Sequence, residues 1–501
     1  MTHILRERAA AAPLETALTD CDTSFTWAEL ADTCERAVHA LASVQLAPST
    51  RVAIIARNSA PATLAYLMAR YSGVQTVAAS FHLRPEEIRY ILTDAHVGAV
   101  FCDETTRSAV EAGCALAGIP TVFSVDAPAG DARNFMEWVA SFPTGEPNLE
   151  VPSAPNVLYT SGTTGFPKGV LNPQNLTGTL RSYIEEYREP VGVGPYLTVG
   201  PMYHAGPIGS IRRLTGGRPL VVLKQFVPEG VLNIIHTHRV SGTTMVPTHF
   251  AKLLELPAEV RAKYDLSCLA FLDHTGSSCP PAVKEAMINW VGPILSDRYG
   301  ATESGTICTI SSTEWLAHRG SVGKCASRFT AHVVDDNDVE VPVGQTGRLF
   351  FIDHTGVGLN YMNAPEKTAS AHLRPGVFTL GDLGYVDSDG YVFITGRTAD
   401  TVISGGVNLY PAEIERVLNE CPLVVEAAVI GVPDDVMGET LMAFVVPRDA
   451  STTEAAVIAY CRELLAGPKV PRAMEFVDEL PRNPMGKLDR KVLRAPYWDT
   501  L

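Results

Sequence analysis

The sequence predicts an α/β protein with a large N-terminal α/β domain and a small α+β C-terminal domain. Its 501 residues exceed what a single hydrophobic core usually serves. Up to residue 397, short β-branched segments alternate with segments of helical periodicity, as in proteins whose buried strands are largely parallel. A separate compact pattern of strands and helices occupies residues 398–501, which is a common size for a small domain.

Each element is predicted from hydrophobic periodicity. In the N-terminal part we predict strands at residues 52–56, 99–102, 121–125, 220–223 and 243–246, and helices at residues 27–44, 85–95 and 280–290. In the C-terminal part we predict helices at residues 411–420 and 451–465, and strands at residues 424–432, 441–447 and 474–476. A break near residues 396–400 separates the two parts, so the predicted domains are 1–397 and 398–501.

Composition and charge exclude several classes of function. The chain is 46% apolar and 19% charged, and its net charge of -15 argues against a nucleic-acid partner, which needs a basic face. The ten cysteines include no Cys-x-x-Cys pair, so neither a zinc site nor a disulfide framework is indicated. The charged N-terminus lacks the apolar core of a signal peptide, and no apolar run is long enough to span a bilayer. We therefore expect a cytoplasmic enzyme without an integral membrane segment, and an oligomer remains possible.

The strongest local pattern is Tyr-Thr-Ser-Gly-Thr-Thr-Gly-Phe-Pro-Lys-Gly-Val at residues 159–170, directly after a short apolar run. Its hydroxyl groups and glycine backbone N–H groups can donate to an anion, and its lysine adds a positive charge. The pattern differs from a Walker loop. We predict a phosphate-binding loop, and its candidate residues are Thr160, Ser161, Gly162, Thr163, Thr164, Gly165 and Lys168.

Further segments carry residues with related chemistry. In Tyr-Gly-Ala-Thr-Glu at residues 299–303, Glu303 offers the hard carboxylate oxygen that suits magnesium. In the Gly-Asp turn at residues 381–382, the ionised Asp382 can accept hydrogen bonds from two ribose hydroxyls. The C-terminal segment Pro-Arg-Asn-Pro-Met-Gly-Lys-Leu-Asp-Arg-Lys, residues 481–491, presents Lys487 in a polar turn. Taken singly, each segment is also an ordinary turn or helix start.

Taken in order over residues 159–491, these motifs resemble those of the adenylate-forming superfamily, which includes acyl-CoA synthetases, peptide-synthetase adenylation domains and luciferases. The resemblance implies a large domain of adenylate-forming type and a mobile small domain. It also implies that ATP, Mg²⁺ and coenzyme A are used with a small-molecule carboxylic acid. The sequence departs from the family at Val377, where tryptophan is usual, and at Ala399, where the interdomain hinge usually has Asp or Lys.

The resemblance assigns roles to individual residues. It makes Lys487 the catalytic lysine of the adenylation step and Glu303 the metal ligand, with donors from Thr160 to Lys168 steadying the departing pyrophosphate. The implied nucleotide contacts are Gly276, Ser277, Ser278, Tyr299, Gly300, Ala301, Thr302, Asp382 and Arg397, with Tyr299 against the adenine and Asp382 on the ribose. The implied coenzyme A contacts are Gly405 and Gly406 along the pantetheine arm, and Lys469 and Arg472 at its phosphates.

The acid substrate is the least specified part of the prediction. The segment Pro-Met-Tyr-His-Ala-Gly at residues 201–206 corresponds to the family's acid-pocket motif and contains no carboxylate, so an acyl or aryl acid is favoured over an amino acid. His204 resembles the family's gate between the acid pocket and ATP. A packed structural histidine is the alternative reading.

The expected reaction forms an acyl-adenylate from acid and ATP and then transfers the acyl group to the thiol of coenzyme A. One alternative is the same adenylation with an amine acceptor, which would give an amide. A second alternative is a catalytically inactive nucleotide-binding relative, although Lys487, Glu303 and Asp382 are all retained. A free-standing ligase is expected, since no carrier-protein domain follows Lys491.

Overall fold

A computed structural model of the chain describes residues 3–160, 168–171, 178–404, 407–434, 436–465, 467–482 and 487–498. The helices of the N-terminal part are α1 (Ile4–Ala11), α2 (Trp27–Ser43), α3 (Ala60–Tyr71), α4 (Pro85–Asp94), α5 (Arg107–Ala117), α6 (Phe135–Ala140), α7 (Leu180–Glu186), α8 (Ala205–Thr215), α9 (Pro228–His238), α10 (Pro247–Leu254), α11 (Ala258–Arg261), α12 (Pro281–Val291), α13 (Ser312–Ala317) and α14 (Pro365–Ser370). Its strands are β1 (Thr16–Thr19), β2 (Ser24–Thr26), β3 (Arg51–Ile55), β4 (Thr76–Ala78), β5 (Val97–Cys102), β6 (Val122–Ser124), β7 (Val157–Thr160), β8 (Lys168–Leu171), β9 (Tyr196–Thr198), β10 (Leu220–Val222), β11 (Gly242–Met245), β12 (Phe271–Thr275), β13 (Leu295–Ala301), β14 (Gly305–Ser311), β15 (Ser321–Cys325), β16 (Phe329–Val334), β17 (Gly347–Asp353), β18 (His372–Arg374), β19 (Val377–Val386) and β20 (Val392–Arg397).

The C-terminal part follows a 3₁₀ turn at Thr398–Asp400. Its elements are β21 (Val402–Ser404), β22 (Val407–Leu409), α15 (Pro411–Glu420), β23 (Val424–Asp434), β24 (Gly438–Pro447), α16 (Glu454–Leu464), a 3₁₀ turn (Gly467–Lys469), β25 (Ala473–Phe476) and α17 (Arg490–Trp498). Strands β21 to β25 form a sheet of their own, in which β24 pairs with β21, β23 and β25. Helices α15 and α16 cover one face of this sheet, which gives the small part a hydrophobic core separate from that of the large part.

Within the described residues, the N-terminal part contains two sheets. The first has six strands in the order β6-β5-β3-β4-β7-β8 and is parallel except for the pair β7 and β8. The second has fourteen strands, and its section β1-β10-β9-β11-β12-β13 is parallel. From β13 onward the second sheet continues through β14, β15, β20, β19 and β17 to β16 with antiparallel neighbours.

Helix α3 is the centre of the large core. All of its residues are buried, including Arg70 and Thr63, which is expected of a helix that is surrounded on every side. It packs against α2 and α8 and against β3 and β4. The preceding helix α2 shows how local sequence defines a helix. Thr26 and Glu29 form a capping box at its start. Trp27, Leu30 and Ala31 are buried at helical spacing.

The predicted fold class is confirmed, and each predicted helix and strand lies within three residues of an observed one. The expectation of largely parallel strands is wrong for the region between residues 305 and 397, where the strands are antiparallel. In β14 and β19, polar or glycine residues interrupt the apolar ones, unlike the continuous runs that mark buried parallel strands; the run at residues 349–352 in β17 is the exception among these three strands. Among the described residues, every helix is too short or too polar to cross a membrane.

Candidate active site

The hairpin between β13 and β14 holds Thr302 and Glu303 at its tip. A Cβ atom at Gly300 would lie only 2.0 Å from the carbonyl oxygen of Gly305. Because no side chain fits at that distance, glycine allows the two strands to approach closely just before the turn. The hydroxyl of Ser304 accepts from the backbone N–H of Ala301 at 3.0 Å. These contacts define the tight turn that carries Glu303 at the end of the strand.

Asp382 on β19 is the most deeply buried carboxylate of the candidate nucleotide site. It is 4% exposed, it accepts from the Tyr299 hydroxyl at 2.6 Å, and the Nε atom of Arg397 lies 3.1 Å from it. Burial raises the pKa of Asp382, and the neighbouring Arg397 and Tyr299 act in the opposite direction. Register pairs Asp382 with Arg397 across β19 and β20, so the two residues are brought together by the sheet. The structure therefore unites three residues that the sequence predicted for the adenosine part of ATP.

Glu303 lies in a second cluster, together with two lysines. The Tyr361 hydroxyl donates to its Oε1 at 2.7 Å, and the ammonium of Lys367 lies 4.2 Å from the centre of the Tyr361 ring. Burial lowers the pKa of Lys367, as does the neighbouring ammonium of Lys168, while Glu303 raises it. The carboxylate suits Mg²⁺ as a ligand, and the two ammonium groups suit the negative phosphates that the metal carries.

Tyr361 and Lys367 were missed by sequence reasoning. Neither belongs to a motif whose chemistry stands out, and both are far from the phosphate loop in sequence. They reach the site because Tyr361 pairs with Val170 in an isolated bridge and Met362 N–H donates to Gly169 O at 3.0 Å. Only this non-local pairing, which has no local sequence signature, could have identified them.

Lys487 is brought into the same site from the small C-terminal part. The residue is exposed overall, and desolvation of its ammonium group lowers its pKa. The positive charge of Arg397 lowers the pKa further, whereas Glu303 and Asp382 raise it. One lysine therefore interacts electrostatically both with Asp382 and Arg397 and with Glu303.

His204 stands at the start of helix α8, in the position before its first residue. Its ring packs against Tyr203, with centroids 4.1 Å apart, and its Nε2 atom is buried without a hydrogen-bond partner in the described part of the chain. Burial, and to a smaller extent the charge of Lys487, lowers its pKa to about 4. The imidazole is therefore neutral at pH 7 and lies close to the predicted catalytic lysine.

The remaining predicted residues are placed as follows. Gly276, Ser277 and Ser278 form an exposed turn after β12, where Gly276 has a φ of +93°. Lys469 bonds both carboxylate oxygens of Glu413, at 2.7 and 2.8 Å, so its charge is already matched in this arrangement. Arg472 lies on the small part near Asp434, whose pKa it helps to lower. Ser161, Gly162, Thr163, Thr164, Gly165, Gly405 and Gly406 lie outside the described residues, as does the side chain of Thr160.

The assembled site can perform one kind of chemistry well. Cationic groups from four segments surround two carboxylates, in a protein whose net charge is -15. Glu303 supplies the oxygen ligand that Mg²⁺ prefers, and Asp382 supplies an acceptor for hydroxyl groups. These residues fit a magnesium–nucleotide complex with positive charge aimed at its phosphates.

The family model of the AMP-binding enzyme matches residues 5–362, and that of the AMP-binding enzyme C-terminal domain matches residues 413–487. The chain is 31% identical to a 3-[(3aS,4S,7aS)-7a-methyl-1,5-dioxo-octahydro-1H-inden-4-yl]propanoyl:CoA ligase of Rhodococcus jostii, covering 96% of this chain and 95% of the relative. It is 30% identical to an indoleacetate–CoA ligase of Aromatoleum aromaticum, with 99% and 97% covered. A solved structure of the amide bond synthetase McbA from Marinactinospora thermotolerans matches with a TM-score of 0.83 and 25% identity, covering 99% of each chain. The chain therefore belongs to the AMP-binding enzyme family of adenylate-forming proteins.

Proposed function

We propose that this protein is an ATP-dependent acid–CoA ligase that works in two steps through an acyl-adenylate. The observation that carries the proposal is the position of Lys487. Its ammonium interacts with Glu303, Asp382 and Arg397, and its charge reaches His204. The charge of this lysine beside the residues proposed to bind ATP supports the first of the two steps.

In the first step, a carboxylate oxygen of the acid attacks the α-phosphorus of ATP, the bond to the β-phosphate oxygen breaks, and pyrophosphate leaves. Two anions must approach each other, so the barrier falls where positive charge faces the developing negative charge. Lys487 supplies that charge between the carboxylate and the α-phosphate, and Lys168 and Lys367 neutralise the departing pyrophosphate. Asp382 fixes the ribose, which holds the α-phosphate in place for the attack. Mg²⁺ bound through Glu303 would add charge stabilisation on the phosphate oxygens.

In the second step, the thiol of coenzyme A attacks the acyl carbon, the thiol proton is lost, and AMP leaves with the electrons of the broken acyl–oxygen bond. Lys487 acts on Glu303 and Asp382 in the arrangement seen here, so the proposal includes a rotation of the small domain between the steps. Gly405 and Gly406 are assigned to the pantetheine path. Arg472 is assigned to the coenzyme A phosphates, and Lys469 can join it only by exchanging its bond with Glu413.

The acceptor is assigned from the relatives. Both curated relatives described above carry the name of a CoA ligase and match nearly the whole chain at 30% identity or more. The amide bond synthetase shares the fold at lower identity. Coenzyme A is therefore favoured over an amine.

A pyrophosphate-release screen tests the proposal. Purified protein, ATP and Mg²⁺ are combined with a panel of aliphatic and aromatic acids, first alone, then with coenzyme A, and then with a panel of amines. Pyrophosphate release that is stimulated by coenzyme A, with a thioester found by mass spectrometry, is expected. Amide products without thioester would identify an amine, in place of coenzyme A, as the acyl acceptor. Absence of pyrophosphate with every acid would indicate a catalytically inactive nucleotide-binding protein.

A further inference from the structure

A row of polar side chains lies on one face of the parallel sheet, beneath helix α8. Register pairs Thr244 with Asp273 and Thr275 with Arg298, and alternate residues of a strand share one face. Helix α8 covers this face, because a Cβ atom at Gly206 would lie 3.6 Å from Thr275 and 3.9 Å from Thr244. We name the region between this side of α8 and the sheet face the α8 slot. Its residues are Gly206 and Gly209 on α8 and Thr244, Asp273, Thr275 and Arg298 on the strands, and Arg213, one turn after Gly209 on α8, acts on the charge of Asp273.

Two glycines keep the helix side of the slot open. Gly206 and Gly209 are three residues apart and so lie on the same side of α8. A Cβ atom built at Gly209 would have no neighbour within 4 Å, and both glycines are half-buried. Glycine inside a helix costs stability relative to alanine, yet this position gains no close backbone contact in return. The slot starts beside His204, which is the residue that precedes α8 and lies near Lys487.

The deep part of the slot contains a charged pair. The Asp273 side chain is 6% exposed and lies 2.9 Å from the Nη2 atom of Arg298, whose side chain is 36% exposed. The Nε atom of Arg298 is buried without a hydrogen-bond partner in the described part of the chain, as is the hydroxyl of Thr198. Register aligns Thr198 with Thr244 through β9 and β11, so this second unpartnered group belongs to the same face. The slot thus ends at the Arg298 guanidinium, which Asp273 holds in place while the Nε–H group still lacks an acceptor.

The chemistry of this end favours one kind of substrate tail. An alkyl tail would remove water from Arg298 and give no hydrogen bond in return, which is unfavourable for a charged donor. An oxygen acceptor would replace the lost water. Arg213 of α8 also acts on the charge of Asp273, but it is bonded to Glu189 at 2.6 Å. Each of the two arginines thus already has a carboxylate partner, and Asp273 would repel a second carboxylate, so a neutral oxygen suits the Arg298–Asp273 pair better than an anion.

We infer that the Arg298–Asp273 pair selects carboxylic acids that carry a neutral carbonyl or hydroxyl oxygen on their distal part. The inference rests on the proposed function, since it places the acid's carboxylate near His204 and Lys487 and its tail in the α8 slot. Asp273 lies two strand residues below Thr275, which corresponds to about 7 Å of depth. The selected oxygen therefore belongs several bonds away from the reacting carboxylate.

A matched series of acids tests this selection. The series keeps one chain length and replaces a methylene by a ketone, or adds a hydroxyl, at each successive position; the plain alkyl acid and the dicarboxylic acid of the same length complete it. The readout is kcat/KM for pyrophosphate release with ATP and Mg²⁺. The wild-type protein is expected to prefer one oxygenated acid over the alkyl acid by at least about tenfold, the discrimination of one hydrogen bond to a charged group.

Amino-acid substitutions test which residues cause the preference for the oxygenated acid. Arg298→Met combined with Asp273→Asn removes both charges without leaving one of them buried alone, and it is expected to bring the ratio of the two acids close to one. The exposed pair of Arg319 and Glu285, 2.9 Å apart, provides the matched control, and Arg319→Met with Glu285→Gln should leave the ratio unchanged. Gly209→Leu fills the slot from the helix side and should lower the rate with long acids relative to short ones.

The outcomes separate the inference from the function on which it rests. Equal rates with oxygenated and alkyl acids, or a preference that survives in the double variant, overturn the inference while the ligase function stands. Preference for the dicarboxylic acid overturns the assignment of a neutral oxygen. Absence of pyrophosphate with every acid overturns the ligase function itself.

Discussion

Replacement of Lys487 by alanine separates the two proposed steps. The lysine is the one group of the small domain whose charge reaches Glu303, Asp382 and His204 together among the interactions described above. Loss of one positioned donor to a developing oxyanion costs about 10² to 10³ in rate, and Lys487 carries a full charge in a partly buried site. Lys487→Ala should therefore slow acyl-adenylate formation by about 10³-fold or more.

Two assays measure the steps independently. Pyrophosphate exchange reports the first step, and thioester formation from synthetic acyl-adenylate and coenzyme A reports the second. The variant should fail in the first assay and stay within about threefold of the wild type in the second. Lys491→Ala, an exposed lysine four residues further along the same segment, is the control and should affect neither. If Lys487→Ala slows both steps to the same extent, a single fixed active site must replace the two-orientation mechanism.

Four further predictions concern the other clusters. Glu303→Gln should raise the Mg²⁺ concentration needed for half-maximal pyrophosphate exchange, and a wild-type Mg²⁺ requirement would remove Glu303 from the metal site. Lys367→Met should slow the same exchange by about 10²-fold and spare thioester formation from pre-made adenylate, because its charge faces the pyrophosphate. His204→Ala should alter the ranking of acids more than the KM for ATP, and an unchanged ranking would make His204 a packing residue. Burial lowers the pKa of His274 to about 4 from an ordinary 6.5, so as the pH falls the unfolded chain takes up this proton first. The free energy of unfolding measured with urea should therefore fall between pH 6.5 and 4, by up to about 3 kcal/mol from this residue, and His274→Leu should flatten that slope.

The adenosine side of the site was predictable because its residues sit in short motifs. Tyr299, Asp382 and Arg397 each belong to a segment whose chemistry can be recognised locally. The sheet then joins them through a hydrogen bond of 2.6 Å and an ion pair of 3.1 Å. The contacts between them were not predictable, since they depend on β13, β19 and β20 lying in one sheet. Periodicity did not reveal that arrangement, because half-exposed antiparallel strands lack long apolar runs.

The substrate side was far less predictable. Tyr361 and Lys367 enter the site through one isolated bridge to Val170, and Arg298 and Asp273 become a pair only when β12 and β13 align. In sequence, Arg298 directly precedes the tyrosine of a recognised motif, and Asp273 follows the apolar residues Phe271 and Leu272 in its strand. A buried aspartate in such a strand is a signal that needs a partner to be interpreted, and the partner is twenty-five residues away.

The ion pairs on either side of residue 399 define where the proposed rotation would take place. Arg397 bonds Asp382 of the large domain at 3.1 Å, whereas Asp400 lies 3.6 Å from Arg490 of the small domain. Arg490 also bonds the carboxylate of Glu415 at 2.7 Å, and it follows Lys487 by three residues, so the lysine is tied to the body of the small domain. A rotation that keeps both sets of contacts must change the backbone between Arg397 and Asp400, which leaves Thr398 and Ala399 as the pivot. The alanine that departs from the family pattern thus stands where the backbone must turn, and such a position requires φ and ψ freedom rather than a charged side chain.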